Sequence, residues 1–299
     1  MTSLHDKVVF ITGGARGIGA EIARRLRNKG ARLVLSDLDR AELEALAAEL
    51  GEDRVLTAVA DVRDLPAMQA AAAKAVERFG GIDVVVANAG IASYGSVLNV
   101  DPEAFKRVLD VNLVGVFHTV RATLPSVIAR RGYVLIVSSL AAYAAAPGLA
   151  PYNASKAGNE IFANALRLEV GDRGVGVGSA HMSWIDTALV RDSKADLPAF
   201  GEMIARLPWP LSKTTTVDKC ADALVRGIEG RRRRVYCPEW VGLLRWLKPV
   251  LSTPVGEFPI RRIAAELLPR MDAEAAALGR SMSAFNVESL RETGGIPPN

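Results

Sequence analysis

Tyr152 and Lys156 are two side chains whose types and spacing could carry chemistry between them. They stand four residues apart in Leu149-Ala-Pro-Tyr-Asn-Ala-Ser-Lys-Ala-Gly158, and the apolar positions that follow (Ile161, Phe162, Ala165, Leu166) have helical spacing. On a helix, i and i+4 share a face, so the phenol and the ammonium point into the same space. A phenol with an ordinary pKa of roughly 10 is a poor base at neutral pH. A cation one turn away favours the phenolate, and a second cation bound nearby favours it further. Bringing that pKa to about 7 takes roughly 4 kcal/mol, at about 1.36 kcal/mol per unit. The chemistry on offer is acid–base work by an acidified tyrosine. Because tyrosine and lysine meet at this spacing by chance in many helices, the weight falls on the elements that accompany them.

Val8 to Ile11 reads as a buried strand, followed by the glycine-rich turn Thr12-Gly-Gly-Ala-Arg-Gly-Ile-Gly19 and a helix carried by Ile18, Ile22 and Leu26. Strand, turn and helix together form a phosphate cradle, with bare backbone N–H groups and a helix N-terminus facing an anion. Gly13, Arg16, Gly17, Ile18 and Gly19 are its candidate binding residues. The spacing is Gly-x-x-x-Gly-x-Gly, not the usual dinucleotide Gly-x-Gly-x-x-Gly, and a fortuitous glycine-rich loop is the bland alternative. A second strand, Arg32 to Asp37, ends in an acid eighteen residues after Gly19. There a carboxylate meets the adenosine ribose and repels a 2′-phosphate, which argues for NAD. Arg16 argues for NADP, since a cation in the turn could pair with that phosphate. Asp37 carries more weight, because burying like charge beside a phosphate is expensive and an exposed arginine can swing away. Asp39 suits a helix N-cap better than a ribose contact.

Further strands are expected at Val55 to Ala60, ending at Asp61-Val62, and at Ile82 to Ala87, running into Asn88-Ala-Gly90. Those last small residues let a flat ligand lie close to the backbone. A helix from about Pro66 to Phe79 separates the two, and helical pattern resumes from Pro102 through Val120, with Asn112 interrupting an apolar face. A fifth strand, Gly132 to Ser139, ends in two hydroxyls. Alternating strands and helices imply one α/β domain with a doubly wound parallel sheet, helices on both faces, and the ligand beyond the strands' carboxyl ends.

The composition excludes several classes. At 299 residues with 49% hydrophobic and 23% charged side chains, the chain can bury a sizeable core. The net charge of +4 is small, and much of the excess sits in Arg231 to Arg234, so no nucleic-acid partner is inferred. Two cysteines make no disulfide framework and fit a reducing compartment. Three scattered histidines have no ligand-like spacing, so no metal is expected. No charged-then-apolar leader precedes Val8, and no uninterrupted apolar run is long enough to cross a bilayer, which predicts a soluble cytoplasmic protein.

Taken together, Thr12-Gly-x-x-x-Gly-x-Gly19, Asn88-Ala-Gly90, Asn112, Ser139 and Tyr152-x-x-x-Lys156 resemble the short-chain dehydrogenase/reductase family, in its short single-domain branch, over about residues 5 to 237. The resemblance implies that Tyr152 exchanges a proton with the substrate oxygen and that Lys156 binds the nicotinamide ribose and lowers the tyrosine pKa. Ser139 would hydrogen-bond the reacting oxygen, and Asn112 would hold a water linking Lys156 to solvent. Asp61 and Val62 would contact the adenine, and Asn88, Ala89 and Gly90 would line the adenosine side. One segment departs from the family pattern: His181-Met-Ser-Trp-Ile-Asp-Thr187 has Met182-Ser183 where Pro-Gly is usual. Ile185 and Thr187 still match residues that hold the nicotinamide carboxamide, while the turn is expected to be less rigid. His181 reads as packed or solvated in preference to a substrate contact.

Residues 188–214 mix apolar and charged side chains, as a mobile lid over a substrate pocket or a surface helix would. Helical pattern at Val217 to Ile228 and a last strand at Arg231 to Cys237 complete a catalytic unit of 1–237. Beyond it, 238–299 reads as a helical extension. Trp240, Val241, Leu243, Leu244, Leu247, Val250 and Leu251 make an amphipathic helix with Arg245 and Lys248 on the opposite side, favoured to pack on protein over lying on a membrane surface. A further helix is expected from Glu266 to Gly279 and a frayed end from Thr293. The combined expectation is an NAD-linked oxidoreductase moving hydride between cofactor and a hydrophobic, steroid- or lipid-like secondary alcohol or ketone, assembled as a homodimer or homotetramer. An NADP-linked reductase and a dinucleotide-binding sensor or scaffold without turnover are the rivals.

Overall fold

The computed structural model describes residues 3–283. Its first half alternates strictly: β1 (Val8–Thr12), α1 (Gly17–Asn28), β2 (Arg32–Asp37), α2 (Arg40–Leu50), β3 (Val55–Val59), α3 (Leu65–Phe79) and β4 (Val84–Ala87). Then come α4 (Pro102–Leu109), α5 (Gly115–Ala129), β5 (Tyr133–Val137), α6 (Ala150–Glu169) and β6 (Gly176–Met182). The last stretch holds α7 (Ala188–Asp196), α8 (Pro198–Arg206), α9 (Val217–Glu229), β7 (Arg234–Cys237), α10 (Val241–Leu251) and α11 (Pro254–Leu278). All seven strands pair in parallel, in the order β3-β2-β1-β4-β5-β6-β7. The central strands β1, β4 and β5 are buried at every position, which is why they read as unbroken apolar runs. One face packs against α1, α2 and α9 through residues such as Ile22, Leu43 and Leu224. The other packs against α3, α5 and α6 through Met68, Val120 and Ala163.

Helix starts follow local chemistry. Asp39, Asp64 and Thr216 accept the backbone N–H of Glu42, Ala67 and Lys219 and cap α2, α3 and α9. Between α4 and α5 the chain stays helical but widens into one π turn, Asp110–Val114. The resulting 102–129 helix is long and apolar enough on average to cross a membrane, although Asn112, His118 and Arg121 keep its apolar run from being uninterrupted. Its Val116, Val120 and Val127 lie against the sheet, as in a core helix.

Two boundaries differ from the sequence pattern. β7 begins at Arg234, not Arg231, because Arg231 takes a left-handed turn (φ 45°) and Arg232 N–H bonds back to Gly227 O at 2.9 Å. α11 begins at Pro254, where the pattern predicts Glu266. Thr253 caps it and Pro254 occupies its first turn, while Pro259 and Pro269 lie inside the helix and mask its continuity in the sequence. The frayed end expected from Thr293 lies outside the described residues.

Candidate active site

β1 and β4 sit side by side at the point where the strand order reverses, and the loops that follow them part there to leave a groove of about 340 Å³. Asn88 ties the two strand ends together. Its amide donates to the carbonyls of Thr12 and Gly13, each at 3.0 Å, and Thr12 Oγ1 accepts the Asn88 N–H at 3.1 Å. Gly13 has φ +62° and Gly17 φ +54°, and a Cβ on Gly19 would overlap the Gly13 carbonyl oxygen, so this turn demands glycine for both conformation and closeness. α1 has no side-chain N-cap and no acid in its first turn, which leaves its N–H groups and the positive end of its dipole for an anion.

Asp37, at the end of β2, faces the groove and accepts the N–H of Ala15 at 3.0 Å and of Leu38 at 2.8 Å. Burial raises its pKa above the ordinary carboxyl value, and those backbone N–H groups oppose the rise. Arg16 is not a loose cation: its guanidinium pairs with Asp39 and lies 3.5 Å from Glu42. Asp61, Val62, Asn88, Ala89 and Gly90 line the middle of the groove, with Asp61 forked by Arg63 at 2.9 Å. These features fit a dinucleotide: an open helix end for phosphate, an acid at the ribose position, and small residues beneath a flat ring. Gly19 itself stands behind the turn, and Ile185 faces the neighbouring apolar pocket instead of the groove, while Thr187 borders both.

The groove leads to the hydroxyl–phenol–ammonium set. Ser139 follows β5 and caps a short 3-10 turn, its Oγ accepting Ala141 N–H at 3.1 Å. Tyr152 and Lys156 lie on consecutive turns of α6 and both line the groove, and Tyr152 and Ser139 also line the apolar pocket. Lys156 Nζ donates to Val137 O at 2.9 Å and sits 5.5 Å from the centre of the Tyr152 ring. Burial raises the Tyr152 pKa, and a hydrogen bond with Ser139 works against the rise. Burial also lowers the Lys156 pKa to about 8. The acidified phenol expected from the spacing alone is therefore offset by desolvation, since both groups occupy a dry cleft. Beneath them, Asn112 is fully buried in the π turn. Its side chain accepts Ile91 N–H at 2.8 Å and donates to Ile91 O at 2.9 Å and to Ser155 Oγ at 3.2 Å. A Cβ on Gly90 would stand 3.3 Å from Asn112 Oδ1 and 3.5 Å from Lys156 Nζ, so the three converge.

Sequence reasoning misses what lies behind Ser139. His181 is fully buried, with Nδ1 3.2 Å from Ser139 O and Nε2 2.8 Å from Glu160 Oε2. The ring stacks on Tyr143 with centroids 4.5 Å apart. Glu160, one turn beyond Lys156, also accepts from Ser179 Oγ and Arg234 Nη2, both at 2.8 Å. Burial opposes ionisation of Glu160, yet the hydrogen bonds from His181, Arg234 and Ser179 hold its carboxyl well below the usual range. The i+4 step from Lys156 to Glu160 is the one local hint of this network.

The apolar pocket, about 140 Å³, is walled by Leu140, Leu149, Trp184, Ile185, Val190 and Phe200. Its floor is the turn with Met182-Ser183 in place of Pro-Gly, and backbone bonds fix that turn. Ser183 N–H donates to Cys237 O at 2.9 Å, Asp186 N–H to Thr215 O at 2.9 Å, and Thr215 N–H to Trp184 O at 2.8 Å. The 188–214 segment forms α7 and α8, and α11 braces them. Phe200, Met203 and Ile204 pack on Ile263, Leu267 and Met271, flanked by Arg206–Glu266 and Arg270–Glu202 pairs at 2.8 Å.

Fold and site define a doubly wound α/β protein in which a nucleotide groove and an apolar pocket meet at one tyrosine. Residues 7–198 match the short chain dehydrogenase family, and the chain belongs to it. It is similar to an uncharacterized NAD-dependent oxidoreductase of Mycobacterium tuberculosis, with 33% identity over 245 residues, 75% of this chain and 89% of that one. The trans-4-hydroxycyclohexanecarboxylate dehydrogenase of Sinomonas cyclohexanicum is 32% identical over 228 residues, 74% of this chain and 85% of its own. Among solved structures, that of gox2181 aligns with a TM-score of 0.71 at 25% identity, covering 78% of this chain and 95% of that one.

Proposed function

We propose that the chain is an NAD-dependent dehydrogenase that moves hydride between NAD(H) and a secondary alcohol or ketone on an apolar skeleton. The observation that carries this reading is the place of Tyr152, which borders both the groove and the apolar pocket with Ser139 hydrogen-bonded to it. The nicotinamide, when bound, supplies or accepts the hydride and in its oxidised form adds a positive charge. Tyr152 takes the proton from the substrate hydroxyl, or returns it to the ketone oxygen. Ser139 hydrogen-bonds that same oxygen and fixes the carbon beside it for transfer. Lys156 holds the ribose and keeps its charge near the phenol, and Asn112 supports a water that leads protons from Lys156 to solvent. Asp61 and Val62 meet the adenine, Asn88 to Gly90 the adenosine side, and Thr187, which borders both groove and pocket, the carboxamide.

Support for NAD over NADP comes from Asp37 at the ribose position and from the engagement of Arg16 by Asp39 and Glu42. Support for a secondary alcohol comes from the relative named for a hydroxycyclohexanecarboxylate. Tyr152→Phe should lower kcat by about 10²- to 10⁴-fold while the Kd for NAD stays within about twofold. An equal loss of both would make Tyr152 structural and sink the proposal. NAD binding without turnover on any secondary alcohol or ketone in a broad panel would point to a sensor instead. Asp37→Ala should erase the preference for NAD, and an unchanged preference would reassign cofactor selection.

A further inference from the structure

The most apolar side of α10 is turned to solvent. Leu243, Trp246, Leu247 and Val250 recur at three- and four-residue spacing and form one stripe, with Leu243 61% exposed, Trp246 73% and Val250 52%. On the inner side Val241 is the one fully buried residue of this helix. The stripe continues onto α11 because Gly256 stacks directly on the end of α10, where a Cβ would overlap the Val250 carbonyl oxygen. That junction brings Val255 (81% exposed) and Phe258 (61% exposed) next to α10. Folding normally covers such a face, and a contiguous exposed patch marks an interaction site.

Charge narrows the choice of partner. Arg261 and Arg262 flank Phe258 on the patch, Arg245 and Lys248 stand on the other side of α10 in step with Val241, and Glu257 is the one acid between residues 241 and 262. None of the four cations pairs with a carboxylate among the described residues, and Arg245 lies over the Trp246 ring at 4.7 Å. A two-fold contact of this face with a second copy would set Arg261 and Arg262 against their own equivalents with one acid per copy to answer them. α10, at 11 residues, is too short to span a bilayer.

We infer that α10 and the first turns of α11 form a docking surface for an anionic lipid bilayer. The helix lies in the plane of the interface, with Trp246 and Phe258 among the acyl–headgroup boundary and Arg261 and Arg262 on lipid phosphates. Each cation near an anionic surface contributes roughly 1 kcal/mol, and salt screens that contribution.

The test is co-sedimentation of the full-length protein with phosphatidylglycerol vesicles and with phosphatidylcholine vesicles, alongside tryptophan emission. Binding to phosphatidylglycerol, weaker on phosphatidylcholine and reduced by salt, is the expected result. Trp246→Asp combined with Phe258→Asp should weaken it by about tenfold or more, with turnover and Tm unchanged because both side chains are exposed. Arg261→Gln with Arg262→Gln should remove the preference for phosphatidylglycerol. Absence of binding to either vesicle, or binding indifferent to these substitutions, overturns the inference. So does a dimer in light scattering that Trp246→Asp dissociates, since the face would then belong to a second copy.

Discussion

Lys156 is only 3% exposed and keeps a pKa of about 8, against 10.5 for a free lysine, because burial disfavours its charge. The native state releases this proton near pH 8 and the unfolded chain near 10.5, so between those values the unfolded chain binds more protons and stability rises with pH. Below that window the buried charge costs about 3 kcal/mol, at about 1.36 kcal/mol per unit. Lys156→Met should therefore abolish turnover yet stabilise the fold at pH 7 by about 2 kcal/mol, after allowing about 1 kcal/mol for the lost bond to Val137 O. Urea unfolding of both proteins from pH 7 to 10.5 checks this, and the gap should close with rising pH. Glu160 behaves oppositely. Its carboxyl is held well below the ordinary value, so its contribution is present above that ordinary value and is lost as pH falls through the native one. Glu160→Gln should cost about 3–5 kcal/mol at pH 7, the penalty for leaving Arg234 and His181 short of a buried partner, with the gap narrowing in acid.

At the scale of elements, α11 braces α8 from behind the apolar pocket and lines none of it itself. Leu267 is fully buried against α8, and Leu267→Ala should cost about 2–5 kcal/mol through the cavity it leaves. Because α8 carries Phe200 into the pocket, the same variant should raise the substrate KM several-fold while the Kd for NAD, measured by titration, stays put. Elements built on short-range signals were legible in the sequence: the glycine turn, the apolar strands, the capped α2 and the Tyr152–Lys156 face of α6. Elements whose evidence is long-range were not. The partnership of α8 with α11 joins Phe200 to Leu267 with no shared motif, and Pro259 and Pro269 disguise the helix that makes it. Arg234 and Glu160 stand 74 residues apart in the chain, and neither residue type at its own position announces the other. The π turn that sets Asn112 likewise leaves no composition signal, because widening a helix by one residue changes hydrogen-bond partners and not side-chain types.

Over the whole molecule, two adjoining helices leave apolar side chains uncovered away from the pocket: Phe117 and Ile161 are exposed on α5 and α6, near the Phe117–Phe162 edge contact at 6.4 Å. We propose that the second copy of the expected homodimer or homotetramer covers this face. Phe117→Asp with Ile161→Asp should then give a monomer in sedimentation experiments, and an unaltered mass would reject that contact. The brace of α11 over α7 and α8 has a consequence for how the protein is made. Everything that lines the nucleotide groove lies before residue 193, whereas Leu267 and Met271 leave the ribosome near the end of synthesis. The nascent chain thus holds every residue that lines groove and pocket before it owns the helix that steadies α8, and the firmness of that wall is the last property it acquires.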